Sequence, residues 1–178
     1  MKKLKVFLLA AALVVTSSAM AQIKIGYIRI DDMVGLMPEI PGIDTLINVY
    51  QTDSLGNEYR TLIEVYQFKD SAYRDSIGTK PAVRKQIQEE LPGLIYQIQN
   101  WQTIAQQKTE NKQNELLAPV YKKVYDAIRA VAKEKGYTHV FTKEVFLVAP
   151  EADDMLAAVA AKLKVKLPPV GAGNRLGN

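Results

Sequence analysis

The stretch "NELLAPVYKKVYDAI", residues 114–128, reads as helix on both sides of a proline. Just before it, "QQKTENKQ" (106–113) is almost wholly polar. Beyond it the apolar residues return in order: Leu117, Val120, Val124, Ile128 and Val131. Their steps of three and four make the stripe of a helix docked on a sheet. One helix therefore changes environment along its length, from solvent on most sides to a core on one. Pro119 sits at the change. It removes a backbone donor and presses on the carbonyl of residue 115, so a bend is expected there, with the helix continuing. The stretch is read as a shoulder between a compact body and a projecting arm.

Upstream, a helical pattern runs from Ile43 to Ile77, through Leu46, Ile47, Tyr50, Tyr59, Leu62, Ile63, Tyr66 and Tyr73. It weakens at "DSLGNE", where Gly56 costs about 1 kcal/mol relative to Ala. Gly78-Thr79-Lys80-Pro81 is a break, with Gly suited to a helix end and Pro to the next first turn. A second helix is predicted from Pro81 to Lys135. Its early apolar set, Ile87, Leu91, Leu94, Ile98, Trp101 and Ala105, repeats with the 3.5-residue period of a coiled coil. Pro92-Gly93 falls inside it and is expected to bend or interrupt it. Ile43–Ile77 and Pro81–Glu115 match in length, so they can fold back as an antiparallel hairpin about 50 Å long. Residues 106–115 are expected to pair loosely with Ile43–Asp53 at its root.

The two ends of the chain supply the body. Ile23–Ile30 is β-branched with partial alternation and reads as a strand. Asp31 or Asp32 can cap a short helix that runs to Met37, and Pro38 and Pro41 are expected to break it. After Gly136, Tyr137–Thr142 and Val145–Ala149 read as two strands. Asp153 or Asp154 can cap a last helix with Met155, Leu156, Val159 and Leu163 on its apolar face. The fold class is therefore α+β: a small β-sheet body with a long antiparallel α-helical coiled-coil hairpin and a C-terminal helix. The expected division is a body of residues 22–42 and 116–167, an arm of 43–115 and a flexible tail of 168–178.

Residues 1–21 have the form of a secretory signal peptide: Lys2, Lys3 and Lys5, an apolar run from Val6 to Val15, then Ala19-Met20-Ala21. Cleavage leaves a chain starting at Gln22. Of 23 basic and 19 acidic residues, three basic ones leave with the signal, so the mature balance is 20 against 19. The pI of about 9.1 is then no argument for nucleic-acid binding. There is no Cys, so neither disulfide nor thiolate metal site exists. His139 is the only histidine and is read as structural. "GAGNRLG" near the C-terminus has no strand before it and is not a phosphate loop. No catalytic constellation is found, so no enzyme activity, cofactor or metal is expected.

The order of these segments carries a resemblance. "KIGYI" (24–28) is followed by a short helix ending in "LMPE" (36–39) and two long helices. Then come "LLAPVYKKVYDAIRAVAKEKGYTHVF" (116–141) and "VFLVAPEADDM" (145–155). This resembles the OmpH/Skp family of periplasmic chaperones, in the form common in Bacteroidetes-type bacteria, over the mature chain except the tail. The resemblance implies a homotrimer whose bodies join through strands into a central base. Three arms project from it and enclose a cavity that holds unfolded outer-membrane β-barrel proteins without ATP. The alternative is a structural coiled-coil envelope protein without chaperone activity.

Six aromatic residues with polar tips suit a wet, weakly binding cavity wall: Tyr50, Tyr59, Tyr66, Tyr73, Tyr96 and Trp101. Each also has the plainer reading of packing the hairpin seam. The mature balance of +1 departs from the basic arms of well-known family members, which puts electrostatic capture in doubt as the main drive. A local basic cluster remains at the arm tip, Arg74, Lys80, Arg84 and Lys85. It is read either as contact with anionic membrane or lipopolysaccharide, or as a solvated turn. Pro92 and Gly93 are read as an arm hinge, and Pro119 as the shoulder.

Overall fold

A computed structural model describes residues 23–168. The expected signal peptide, and all of the expected tail but Pro168, lie outside them. Strand β1 (Ile25–Ile28) leads into helix α1 (Ile30–Gly35). Helix α2 (Ile40–Val49) then passes into a π-helical segment, Tyr50–Leu55, and on into α3 (Gly56–Arg74). The chain turns back through α4 (Pro81–Gln99) and α5 (Trp101–Lys135). Strand β2 (His139–Thr142), two short 3₁₀ turns and α6 (Leu156–Leu163) complete it.

β1 and β2 pair in parallel, Ile25 beside His139 through Ile28 beside Thr142. A parallel pair needs a long connection, and here the whole arm is that connection. Around the pair, Ile28, Met33, Val34, Met37 and Ile43 from the N-terminal side meet Val120, Val124, Ala127, Ile128 and Val131 of α5. Met155, and Val159 and Ala160 of α6, close the same core. The α5 stripe thus faces inward as its spacing implied, with Leu117 half-buried at its edge. The helix runs unbroken through Pro119. Burial of four β-branched residues on that face outweighs one lost hydrogen bond of about 1 kcal/mol.

Two helix ends are closed by the same device. At the end of α5 the Tyr137 N–H donates to the Ala132 carbonyl (2.9 Å) and Gly136 adopts the left-handed conformation, φ 71°. At the end of α6 the Val165 N–H donates to the Ala160 carbonyl (2.9 Å), but the left-handed residue is Lys164, φ 58°. Glycine takes this conformation without steric cost, whereas lysine does not.

Several expectations are corrected. Pro41 does not break a helix; it lies in the first turn of α2, where its fixed φ favours helix and its missing N–H would be unpaired anyway. Neither Asp31 nor Asp32 caps α1, which starts earlier, at Ile30. The Asp31 carboxylate instead accepts from the Tyr121 hydroxyl (2.8 Å), and Asp32 pairs with Arg29 (3.4 Å). Nor does Asp153 or Asp154 hold the N-cap position of the last helix, which is Met155; Asp154 stands one residue before it and its carboxylate accepts from the Leu156 N–H at 2.8 Å. Val145–Ala149 forms no strand within the single chain. Val145 is drawn into a 3₁₀ turn closed by the Phe146 N–H on the Lys143 carbonyl (3.0 Å), and among the described residues 146–149 join no ladder.

The first long helix ends at Arg74, not Ile77. The cause is Asp75, whose carboxylate accepts from the Ile77 N–H (3.1 Å) and the Gly78 N–H (2.8 Å). Those two bonds close a local turn that competes with another helical turn. They also hold the Asp75 carboxyl below its usual range. The second long helix is interrupted at Asn100, with φ −101° and ψ 11°. Pro92 and Gly93 lie inside the unbroken α4, eight and seven residues before that interruption.

Candidate functional site

The arm is a hairpin whose seam is barely covered. On the returning side, Ile87 is buried, and Leu91, Leu94, Ile98, Trp101 and Ala105 are half-buried. The 3.5-residue repeat therefore faces the partner helix, across Asn100 as well as before it. On the outgoing side, Leu55 is buried and Leu62, Tyr66, Lys69 and Tyr73 are half-buried. A two-helix seam of this kind excludes water only along its centre line.

Cross-helix ion pairs fix the register. Lys69 binds Glu90, which also accepts from Gln86 (2.9 Å), and Lys108 binds Glu58. The bonds from Lys69 and Gln86 hold the Glu90 carboxyl below its usual range. At the shoulder, Lys123 bonds the Glu39 carboxylate and lowers it likewise. These pairs are partly exposed, so each contributes little to stability and more to which residues face each other.

The six aromatic residues fall into different settings. Tyr59 and Trp101 pack on each other across the seam, ring centroids 5.3 Å apart. They wall a shallow cleft of about 430 Å³ with Leu55, Gly56 and Ala105 at its base. Tyr73 is covered by Arg84, whose guanidinium lies 5.5 Å from the ring centroid and whose Nε donates to the Tyr73 carbonyl (3.0 Å). Tyr50 and Tyr66 are half-buried, and Tyr96 is 65% exposed. Other apolar side chains, not singled out from the sequence, stand freer: Phe68 at 75% and Ile77 at 98% exposed, with Leu46 and Val49 about half exposed. Their signal was available, since Phe68 falls off the heptad positions that the neighbouring tyrosines occupy.

The basic cluster at the tip is less free than its composition suggests. Arg74 pairs with Asp70 (2.9 Å), and Arg84 is turned onto Tyr73. Lys80 and Lys85 are exposed. His139 lies on β2 with its ring stacked over Phe141, centroids 6.4 Å apart. Among the described residues no helix is long and apolar enough to cross a membrane, and no three His, Asp or Glu side chains gather as a metal cluster.

Sequence comparison matches residues 24–163 to the family of outer membrane proteins described as OmpH-like. No curated protein matches the chain. Among solved structures, the chain is similar to a candidate outer membrane chaperone (OmpH-like) from Caulobacter crescentus CB15, with 17% identity and a TM-score of 0.48. That likeness covers 79% of this chain and 83% of the other.

Proposed function

Because the chain belongs to the OmpH-like family of outer membrane proteins, we propose that it is an ATP-independent periplasmic holdase for unfolded outer-membrane β-barrel proteins. The observation that carries this reading is the arm: a long hairpin on a small core, with apolar side chains dispersed over a polar surface. Phe68, Ile77 and Tyr96 stand in solvent, separated along the arm by charged and amide residues. Each such contact with an unfolded chain is weak, and many weak contacts hold a client that folding or insertion can still withdraw. Tyrosine suits this use because its ring is apolar and its hydroxyl stays hydrated. Secretion by the signal peptide of residues 1–21 would place the mature chain, from Gln22, in the periplasm. No nucleotide site is needed for passive holding.

The same reading includes a homotrimer. Its support is an apolar surface that a single chain leaves open. Val145 is 64% exposed, Leu147 fully exposed and Val148 91% exposed. Nearby, Ile28, Tyr125, Ile128, Val140 and Phe141 line an apolar cleft of about 360 Å³ on the body. A soluble chain rarely leaves so much apolar surface without a partner. In this reading residues 22–42 and 116–167 form the assembled base and 43–115 the projecting arm. Contact of the tip with anionic lipid is a secondary reading. It would rest on Lys80 and Lys85, the two basic residues there without a local partner in the described residues.

The placement of the client is tested by photo-crosslinking. A photoreactive residue at Phe68 or Tyr96 is expected to capture an unfolded β-barrel protein. The same group at Lys133, exposed on the body and outside that cleft, or at either arm position with a folded client, is expected to capture little. Equal capture from arm and body would contradict the arm as the binding element.

A further inference from the structure

From Gln22 onward the sequence contains three serines, Ser54, Ser71 and Ser76. Each follows an Asp and precedes an aliphatic residue: Asp53-Ser54-Leu55, Asp70-Ser71-Ala72 and Asp75-Ser76-Ile77. Asp44-Thr45-Leu46 is a fourth copy of the pattern. Asp is only nine of the residues from 22 to 178, so three serines out of three following one is far from chance. All four copies lie between Asp44 and Ile77, along the outgoing side of the arm and its tip turn.

Secondary structure does not account for them. Asp, Ser and Thr are poor in helix interiors and belong at caps. Yet Glu39, Val49 and Leu55 hold the N-cap positions of α2, the π segment and α3. Asp44-Thr45 and Asp53-Ser54 stand inside helical segments. Asp70-Ser71 stands at the C-terminal end of α3, where the helix dipole disfavours a carboxylate. Pairing with Arg74 (2.9 Å) offsets part of that for Asp70. Asp75 does have a structural task, closing the tip turn, but the task makes no use of Ser76. Packing does not account for the hydroxyls either, since Thr45, Ser54, Ser71 and Ser76 are all exposed.

An exposed hydroxyl that recurs in one tripeptide has the form of an acceptor for enzymatic modification. The neighbouring charge selects the group. A phosphate beside Asp would set like charges together, and at Ser71 and Ser76 it would do so at a helix C-terminus. A glycosyl group is neutral, bulky and hydrated, and meets neither penalty. The chain has no Asn followed two residues later by Ser or Thr, the usual amide acceptor of sugar.

We propose that Thr45, Ser54, Ser71 and Ser76 are O-glycosylation sites, recognised through the preceding Asp and the following aliphatic residue. The donor class is a sugar activated as a lipid-linked pyrophosphate. The hydroxyl oxygen attacks the anomeric carbon and forms the new C–O bond. The bond from that carbon to the pyrophosphate oxygen breaks, and the lipid pyrophosphate leaves with the electron pair. The hydroxyl proton passes to a base of the transferase. The proposal rests on the secretion read from residues 1–21, which brings the chain to such a donor. Ser76, outside any helix, and Ser54, in the π segment just before Gly56, are the readiest acceptors. Thr45 is less ready, because its hydroxyl donates to the Pro41 carbonyl (2.9 Å). At these exposed positions the sugars leave the seam untouched.

The test is the intact mass of the protein purified from the cells that make it, with peptide fragmentation that keeps side-chain groups in place. Sugar increments are expected on Ser54 and Ser76 at least, and otherwise on Ser71 and Thr45. Thr52 and Thr103, exposed but not preceded by Asp, are expected bare. Asp53→Ala is expected to abolish the increment at Ser54 and keep the one at Ser76. Asp53 is exposed and alanine favours helix, so the fold is kept. A bare chain starting at Gln22 overturns the proposal and leaves secretion standing, whereas a bare chain starting at Met1 overturns both. Sugar found equally on Thr52 and Thr103, or retained at Ser54 in Asp53→Ala, also overturns it. So does an increment that a phosphatase removes.

Discussion

Gly26→Val is expected to lower the melting temperature of the protein by about 10 °C. Gly26 lies in β1, beside Val140 of β2 and against Met155 and Tyr137. A Cβ at this position would stand 2.7 Å from the Met155 sulfur and 3.0 Å from two carbons of the Tyr137 ring. Met155 is 1% exposed and cannot move aside without disturbing Val159 and Ile28 in the same core. Tyr137 is held too, by the bond of its N–H to Ala132 and by Lys24, whose ammonium lies 4.3 Å over the ring. Overpacking at such a site costs about 3 kcal/mol, the top of the usual range, against a total stability of about 5–15 kcal/mol. Gly35→Ala is the control. Nothing lies within 4 Å of a Cβ there, and a helix gains from alanine. Thermal unfolding by circular dichroism checks both. A melting temperature for Gly26→Val equal to that of the unaltered chain would show that the sheet and α6 do not meet as described.

The second large effect concerns assembly. Replacing Leu147 and Val148 together by Asp is expected to convert a three-chain species to single chains, as sedimentation equilibrium would read it. Both side chains are exposed in the single chain, so the change should leave its core and helix content alone. If they are covered in the assembly, burying two carboxylates there in place of two apolar groups costs at least about 3 kcal/mol per contact, or about 100-fold in affinity. An unaltered mass for the double variant would remove this segment from the interface. A single-chain mass for the unaltered protein would remove the trimer.

Much of this architecture was legible because it is written in spacing. The steps from Leu117 to Val131 required a helix with one buried face, and α5 has it. The repeat from Ile87 to Ala105 required a partner helix, and α3 provides it. What could not be read in advance depended on competition between neighbours. Asp75 ends a helix because its carboxylate reaches two N–H groups, which no apolar pattern encodes. Pro41 starts a helix rather than ending one because of where it falls relative to Glu39. Val145–Ala149 has strand composition, yet a 3₁₀ turn takes Val145 and the rest pairs with neither strand of the sheet. The π segment lies between these cases. The five-residue step from Tyr50 to Leu55 is present in the sequence, but only the inward orientation of Leu55 turns it into a signal. For the arm's function the sequence pointed to aromatic residues as a class. It did not separate Tyr59 and Trp101, which pack on each other, from Tyr96, which stands in solvent.

The central claim, that this chain holds unfolded outer-membrane proteins, is tested most directly by light scattering. A urea-denatured β-barrel protein is diluted into buffer with a several-fold excess of the purified mature protein and without nucleotide. Scattering is expected to stay near the buffer baseline, and the client is expected to remain soluble and bound. Scattering that rises as fast and as far as for the client alone would contradict the account and leave an envelope protein with arms but no chaperone activity.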